Sequence, residues 1–230
     1  MDKYLQIVSK THPIEHGSTD GFEFYTIIDD DGKTPLWQRD FAKELEDYDN
    51  LTEAEQSKVK LTKIEKKTLA SCVHLSRALH EQGYSLSLVS AFRSVDEQQK
   101  LFEEFVEKEG EKAAKEKVAL PGTSEHHLGL AVDLRIRREQ KAVGTLPQNF
   151  LALVRKLPVI RSRDTISLQN KLIDIAPDFG LIQRYPKGKE KLTGITSERW
   201  HFRYVGEYAK EIAENGLCLE EFVAMKSKEI

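Results

Sequence analysis

A chain of 230 residues, 39% hydrophobic and 32% charged, has the composition of a soluble globular protein with enough material for one sizeable core, which excludes disordered and fibrous classes. Its formal net charge of −3 provides no global basic field for a polyanion, so nucleic acid is not an expected partner. Two cysteines, Cys72 and Cys218, are too few for a disulfide framework and read as buried free thiols.

The first stretch, "MDKYLQIVSKTHPI", lacks an apolar run long enough for a signal peptide or a bilayer-spanning helix. As written, the chain stays in the cytoplasm; a chain that had lost a leader or anchor would start in the same way and belong on the outer, cell-wall face. "YLQIV" reads as a short strand and "FEFYTII" as a second, closed by a "DDDGK" turn in which Gly32 accepts positive φ. Residues 1–50 are therefore expected to form an arm packing on the core. Over residues 53–82 the apolar positions Val59, Leu61, Ile64, Leu69, Val73, Leu75 and Leu79 recur at spacings that predict a helix or two, ended by Gly83.

"SLSLVSAF" alternates as a strand should and delivers Arg93 at its C-terminal end. A helix is predicted over residues 95–109, with Ser94 or Asp96 near its start, and "GEKAAKEKV" after it is a solvated helix or a link. "LPGTSEHH" carries loop signals, "LGLAVDL" is a strand ending near its acid, and residues 135–141 read as a solvated basic loop. Helices are expected around "NFLALVRKL" and "SLQNKLIDIA", and Pro177 and Gly180 bracket the turn into "LIQRY". "WHFRYVG" is strand-like, "EYAKEIAENG" is a closing helix ended by Gly216, and residues 217–230 are a last helix or tail. With no repeat, no regular βαβ spacing and no phosphate loop, the order fits a single α+β domain whose main body spans residues 51–216.

Chemistry-bearing residues gather in two places. His126 and Asp133 bracket "HHLGLAVD", where Gly129 lets the chain turn closely, and His201 stands in "SERWHF" three positions after Glu198. A catalytic zinc takes three imidazole or carboxylate ligands and keeps one position open, which His126, Asp133 and His201 could provide. Glu198 would then face the same side on a turn or short helical step and serve as a general base. Spacing alone leaves open the alternatives of histidines bonded to backbone and of a purely structural metal.

"SAFRSVDEQ", "SEHHLGLAVD" and "ERWHFRYVG", in that order, resemble the three signatures of the zinc D-alanyl-D-alanine carboxypeptidases of the vancomycin-resistance type, together with the related L,D-carboxypeptidases. "RYPKGKEKLTG" resembles the stretch those enzymes carry before the last signature, so the likeness runs from about residue 60 to residue 206. It implies an α+β domain with a small central antiparallel sheet flanked by helices and carrying the metal site. It implies His126, Asp133 and His201 as zinc ligands, Glu198 as the base that passes a proton from water to the leaving amine, and Arg93 as the stabiliser of the scissile amide's oxygen. Gln98 and Ser124 match residues expected to hydrogen-bond the terminal carboxylate of the peptide.

The resemblance further implies a monomeric metallopeptidase that hydrolyses the terminal D-alanine of a peptidoglycan stem peptide or precursor. D,D-carboxypeptidase action is favoured over an L,D-carboxypeptidase, a D-alanyl-D-alanine dipeptidase, an endopeptidase or a non-cleaving binding module. His127 stands where these enzymes often carry glutamine and is expected to support the site or line its wall. Trp200 is expected to pack beneath the site and brace His201, with Arg203 and Tyr204 doing the same or lining the cleft. Two departures stand out: Arg199 occupies a proline position and adds charge near the entrance, and Phe92 replaces a tyrosine. Residues 141–178 match poorly and could shape a pocket for a different peptide terminus.

Overall fold

The computed structural model describes residues 2–14, 19–139 and 158–228. In chain order these form β1 (Phe24–Ile28), α1 (Phe41–Asp49), α2 (Glu53–Gln56), β2 (Leu61–Glu65), α3 (Lys66–Glu81), β3 (Tyr84–Ser90), α4 (Val95–Glu109) and α5 (Glu111–Lys117). There follow β4 (Ala131–Arg138), α6 (Pro158–Ile175), β5 (Leu181–Tyr185), α7 (Glu190–Thr193), β6 (Glu198–Tyr204), α8 (Ala209–Glu214) and α9 (Leu219–Lys226). The fold is α+β. β1 and β2 make an antiparallel ribbon, and the central antiparallel sheet runs in the order β3-β4-β6-β5.

The core forms where α3 lies on this sheet. Leu69, Cys72, Leu75 and Leu79 recur at helical spacing on α3 and are buried in one cluster with Leu86 and Leu88 of β3 and Val132, Leu134 and Ile136 of β4. Burying a side chain of this size stabilises by roughly 1.5–3 kcal/mol. The alternate β4 positions, Asp133, Arg135 and Arg137, point to the other face, where the first is half-buried and the other two exposed. A second cluster joins Ile182, Val205, Ile212, Leu219 and Phe222 to Leu5, so the C-terminal stretch is a docked helix, α9, and not a tail.

Four expectations are corrected. "YLQIV" is not a strand: residues Lys3–Leu5 form a 3-10 turn begun by the Asp2 side chain accepting from Tyr4 N, and the Tyr4 and Gln6 carbonyls accept from the Arg203 guanidinium in place of a neighbouring strand. Leu61 and Ile64 belong to β2 and not to a helix, because the Glu65 carboxylate accepts from Thr68 N at 2.8 Å and starts α3 only at Lys66. Residues 135–138 continue β4 by pairing with β3 and are not a loop. β6 begins at Glu198, so the step from Glu198 to His201 is a strand and not a helical turn. The α4 boundaries agree with expectation, and a reciprocal Ser94–Glu97 capping box explains its start. The helix expected at "NFLALVRKL" lies outside the described residues.

Candidate metal centre

Asp133 on β4 lies directly opposite His201 on β6, and at a cross-strand pair the side chains on one face come within reach of each other. His126 reaches the same point from a 3-10 turn, Glu125–Leu128, that ends at Gly129 with φ of 70°. Only glycine fits there: the positive φ disfavours an L side chain, and a Cβ would collide with the Phe24 ring. Two irregularities in the sheet flank the pair. The β3–β4 register shifts between Leu88 and Ser90, adjoining Asp133, and the β5–β6 register shifts between Gln183 and Tyr185. The second spends two extra residues on β6 between Phe202 and Glu198, so the strand is irregular where Glu198 comes to lie beside His201 in the cleft.

The donor atoms converge. His126 Nε2 is 3.6 Å and His201 Nδ1 3.2 Å from Asp133 Oδ1, and one atom from each residue lies within 4.8 Å of the others. Tetrahedral bonds of about 2.0–2.1 Å separate neighbouring ligand atoms by about 3.3 Å, so the spacing suits zinc. Protonation agrees: His126 Nδ1 donates to Ala91 O at 2.6 Å, which leaves Nε2 as the lone-pair nitrogen. Asp133 Oδ1 is a buried oxygen with no hydrogen-bond partner among the described residues, a costly arrangement that a cation would relieve. Burial holds the His126 imidazole below its usual pKa, hence neutral. For Asp133, burial acts upward but the facing His126 and His201 rings prevail and keep the carboxylate ionised. A neutral His126 imidazole and an ionised Asp133 carboxylate are the forms in which these groups hold a metal.

Glu198 Oε2 is 3.7 Å from His201 Nδ1. Burial first, then the negative charge of Asp133, pushes its carboxyl up to about 7 against the opposing pull of His126 and Arg93. Such a value suits a group that takes and returns protons near neutrality. Arg93 lies just beyond β3 with its guanidinium fixed, Nη1 donating to Gln98 Oε1 at 2.8 Å and Nη2 to Ser90 Oγ at 3.1 Å. Burial lowers the guanidinium pKa, and the charges of Asp133, Glu97 and Glu198 oppose that. Gln98 is itself 1% exposed and donates to Ala119 O at 2.7 Å, so its amide oxygen serves Arg93 and its amide nitrogen serves the backbone. Ser124 is buried just ahead of His126.

All seven residues singled out in the sequence, Arg93, Gln98, Ser124, His126, Asp133, Glu198 and His201, line one cavity of about 150 Å³. His127 supports the site as expected, whereas Trp200, Arg203 and Tyr204 behave differently from expectation. His127 stays outside the metal group because both ring nitrogens are engaged, Nδ1 with Arg93 O at 2.6 Å and Nε2 with Gly122 N at 3.1 Å. Trp200 does not pack beneath His201; it is 49% exposed at the cavity wall, and Tyr185, with its ring centroid 4.9 Å from that of His201, takes the bracing place. Arg203 and Tyr204 turn away from the cleft, the first into a buried ion network and the second against Tyr4. Arg199 bonds its guanidinium to Asn170 of α6.

That ion network escaped the sequence reading. Glu125 accepts from Arg184 Nε at 2.7 Å and lies 3.2 Å from Arg203 Nη1, while Arg184 also holds Glu220 of α9 at 2.5 Å. Both arginines and Glu125 are at most 1% exposed. The available signal was a charged residue inside each apolar strand, "LIQRY" and "WHFRYVG", next to a histidine pair preceded by an acid.

Residues 61–207 match the family model described as VanY, D-alanyl-D-alanine carboxypeptidase. YodJ of Bacillus subtilis (strain 168) is 36% identical over 172 residues, which cover 73% of this chain and 56% of that protein. The chain spans about half the length of the curated relatives it matches. Among solved structures, a mutant of the vancomycin resistance D,D-pentapeptidase VanY from a VanB-type resistance cassette, in complex with Zn(II), superposes with a TM-score of 0.63 at 25% identity over 96% of this chain and 99% of that one. The LD-carboxypeptidase LdcB, in a structure concerned with peptidoglycan recognition, is 38% identical with a TM-score of 0.52, over 69% of this chain and 75% of that one.

Proposed function

The chain belongs to the D-alanyl-D-alanine carboxypeptidase family, and on that premise we propose that it is a zinc-dependent carboxypeptidase removing the C-terminal D-alanine from peptidoglycan stem peptides or their precursors. The observation that carries this reading is the meeting of the His126, Asp133 and His201 donors with Glu198 and Arg93 in one small cavity. When bound, zinc supplies Lewis acidity and lowers the pKa of a water to about 7. His126, Asp133 and His201 hold it. Glu198, beside His201 in the cleft, accepts the proton of the attacking water and returns it to the departing amine of D-alanine. Arg93, immobilised by Gln98 and Ser90, donates to the scissile carbonyl oxygen as negative charge develops there. Ser124 binds the terminal carboxylate with the remaining Gln98 N–H, though the main work of Gln98 is to aim Arg93.

D,D-specificity is supported by the near-complete overlap with the D,D-pentapeptidase chain. A second reading, L,D-carboxypeptidase action on tetrapeptide stems, draws on the higher identity to LdcB. One experiment separates them. Purified protein is incubated with pentapeptide and tetrapeptide stems, with and without a chelator, and each peptide mass is followed. Loss of one alanine from the pentapeptide, abolished by chelator and by Glu198→Gln, is expected. Loss from the tetrapeptide alone would reassign the specificity to L,D, and two unchanged peptides from a zinc-loaded protein would overturn the carboxypeptidase reading.

A further inference from the structure

We propose that the metal cleft continues into a second, cation-lined cavity that binds a carboxylate carried by the substrate on the acyl side of the scissile bond. The proposal rests on the reading of Arg93 as the group that meets the scissile carbonyl and of Ser124 and Gln98 as those that meet the terminal carboxylate. Beyond Gln98 the cleft is walled by residues 117–119, which Gln98 grips through Ala119 O, so the rest of a bound peptide leaves toward one of two flanking cavities. One, of about 590 Å³, adjoins the cleft at Arg93, Leu101 and Asp133. Its charged walls are mainly acidic: Asp29, Asp31, Glu97 and Glu104 face Lys60 and Lys100, and Lys60 is itself paired with Asp29 at 2.7 Å. The other, of about 250 Å³, adjoins the cleft at Tyr185 and Ile195 and is lined by Lys10 and Lys191 with no acidic side chain.

The cationic cavity is built from two distant parts of the chain. Residues 191–195 supply one wall, and a tight turn of the N-terminal arm supplies the other. In that turn Ser9 N donates to His12 O at 2.8 Å and His12 N to Ser9 O at 3.1 Å, which holds Lys10 near the tip. Lys10 Nζ is further tethered to Lys115 O at 2.8 Å, and an ammonium carries three donors, so two remain for a ligand. The Ser9 and Thr11 hydroxyls, bonded to each other and to His12 Nδ1, stiffen the turn that carries it. A chain bearing a carboxylate is drawn to this side and repelled by the other. The arm lies outside the residues that match the family model, while residues 191–195 lie within them.

The test uses zinc-loaded Glu198→Gln protein, so that binding is read apart from cleavage. Peptides ending in D-alanine carry one glutamate at the second, third or fourth residue from the carboxyl end, and each is matched to its glutamine counterpart; affinities are measured by calorimetry. In at least one pair the glutamate peptide is expected to bind about fivefold tighter, the factor an ion pair of about 1 kcal/mol confers. That preference is expected to vanish in Lys10→Ala with Lys191→Ala. Equal affinities within every pair, a preference that survives the double substitution, or no binding by any peptide would overturn the proposal. Wild-type protein that cleaves no peptide while the preference holds would sink the carboxypeptidase reading alone.

Discussion

Two buried polar clusters lie side by side at the β5–β6 side of the sheet, and adjacent residues, Glu125 and His126, belong one to each. In the first, two carboxylates and two guanidinium groups balance, and Arg203 spends further donors on the Tyr4 and Gln6 carbonyls. In the second, the ligand atoms of three residues face one another and Asp133 Oδ1 has no donor among the described residues. The first cluster balances its charges within the protein, although Glu125 Oε2 and Arg203 Nη1 have no hydrogen-bond partner among the described residues; the second brings three ligand groups around one point that a cation would fill. Burial is equal in kind, so burial alone does not mark a functional site. What marks it is the convergence of ligand atoms from three residues on one point.

Substitutions separate the two clusters. The largest effect is expected from Asp133→Ala, which removes a donor outright: zinc affinity, measured by chelator competition, should fall by more than the roughly 10- to 100-fold that loss of a ligand's partner costs, while the metal-free protein keeps its fold. Glu125→Ala should do the reverse. It leaves Arg203 without a carboxylate and Arg184 with one, and breaking a buried pair costs about 3–5 kcal/mol, so melting in the presence of chelator should drop by about 10 °C. Arg93→Ala is expected to lower kcat by about 10²–10³ with little change in melting temperature, the cost of a lost oxyanion donor.

A smaller and opposite effect tests the electrostatics of Glu198. Its folded carboxyl holds a proton up to about 7, whereas its ordinary value is 4.5, so the folded state is penalised as pH rises through that window. The penalty is absent below the ordinary value and complete above 7. Metal-free Glu198→Gln should therefore be more stable than wild type at pH 8, by about 3 kcal/mol at most, and equal to it at pH 4. A difference independent of pH would show that the carboxyl is not held in this way. The smallest effect is expected for His127→Ala, about 1–2 kcal/mol of stability from stranding Gly122 N–H and Arg93 O, with zinc affinity unchanged.

The site was more legible than the frame that builds it. Spacing suggested the three donors but left structural histidines equally open; the resemblance of three ordered motifs assigned them, and the folded donors then converged. Local signals were sound where one element dictates its own shape, as at α4 with its capping box. They failed where a distant partner decides. "YLQIV" has strand composition, but its carbonyls are taken by a guanidinium nearly two hundred residues away. Leu61 and Ile64 fitted a helical pattern because the strand partner that claims them, β1, is remote in sequence. The irregular β5–β6 pairing beside Glu198 depends on β5, and Glu125, Arg184, Arg203 and Glu220 each look like an ordinary charged residue until the sheet assembles.

Zinc binding by His126, Asp133 and His201 is open to direct measurement. Chelator-treated protein should be titrated with zinc against a competing chelating dye, alongside Asp133→Ala and Glu198→Gln. One equivalent of zinc bound tightly by wild type and by Glu198→Gln, and lost from Asp133→Ala, is the expected result. A folded wild-type protein that binds no zinc, or an Asp133→Ala protein that binds it as tightly as wild type, would contradict the central claim.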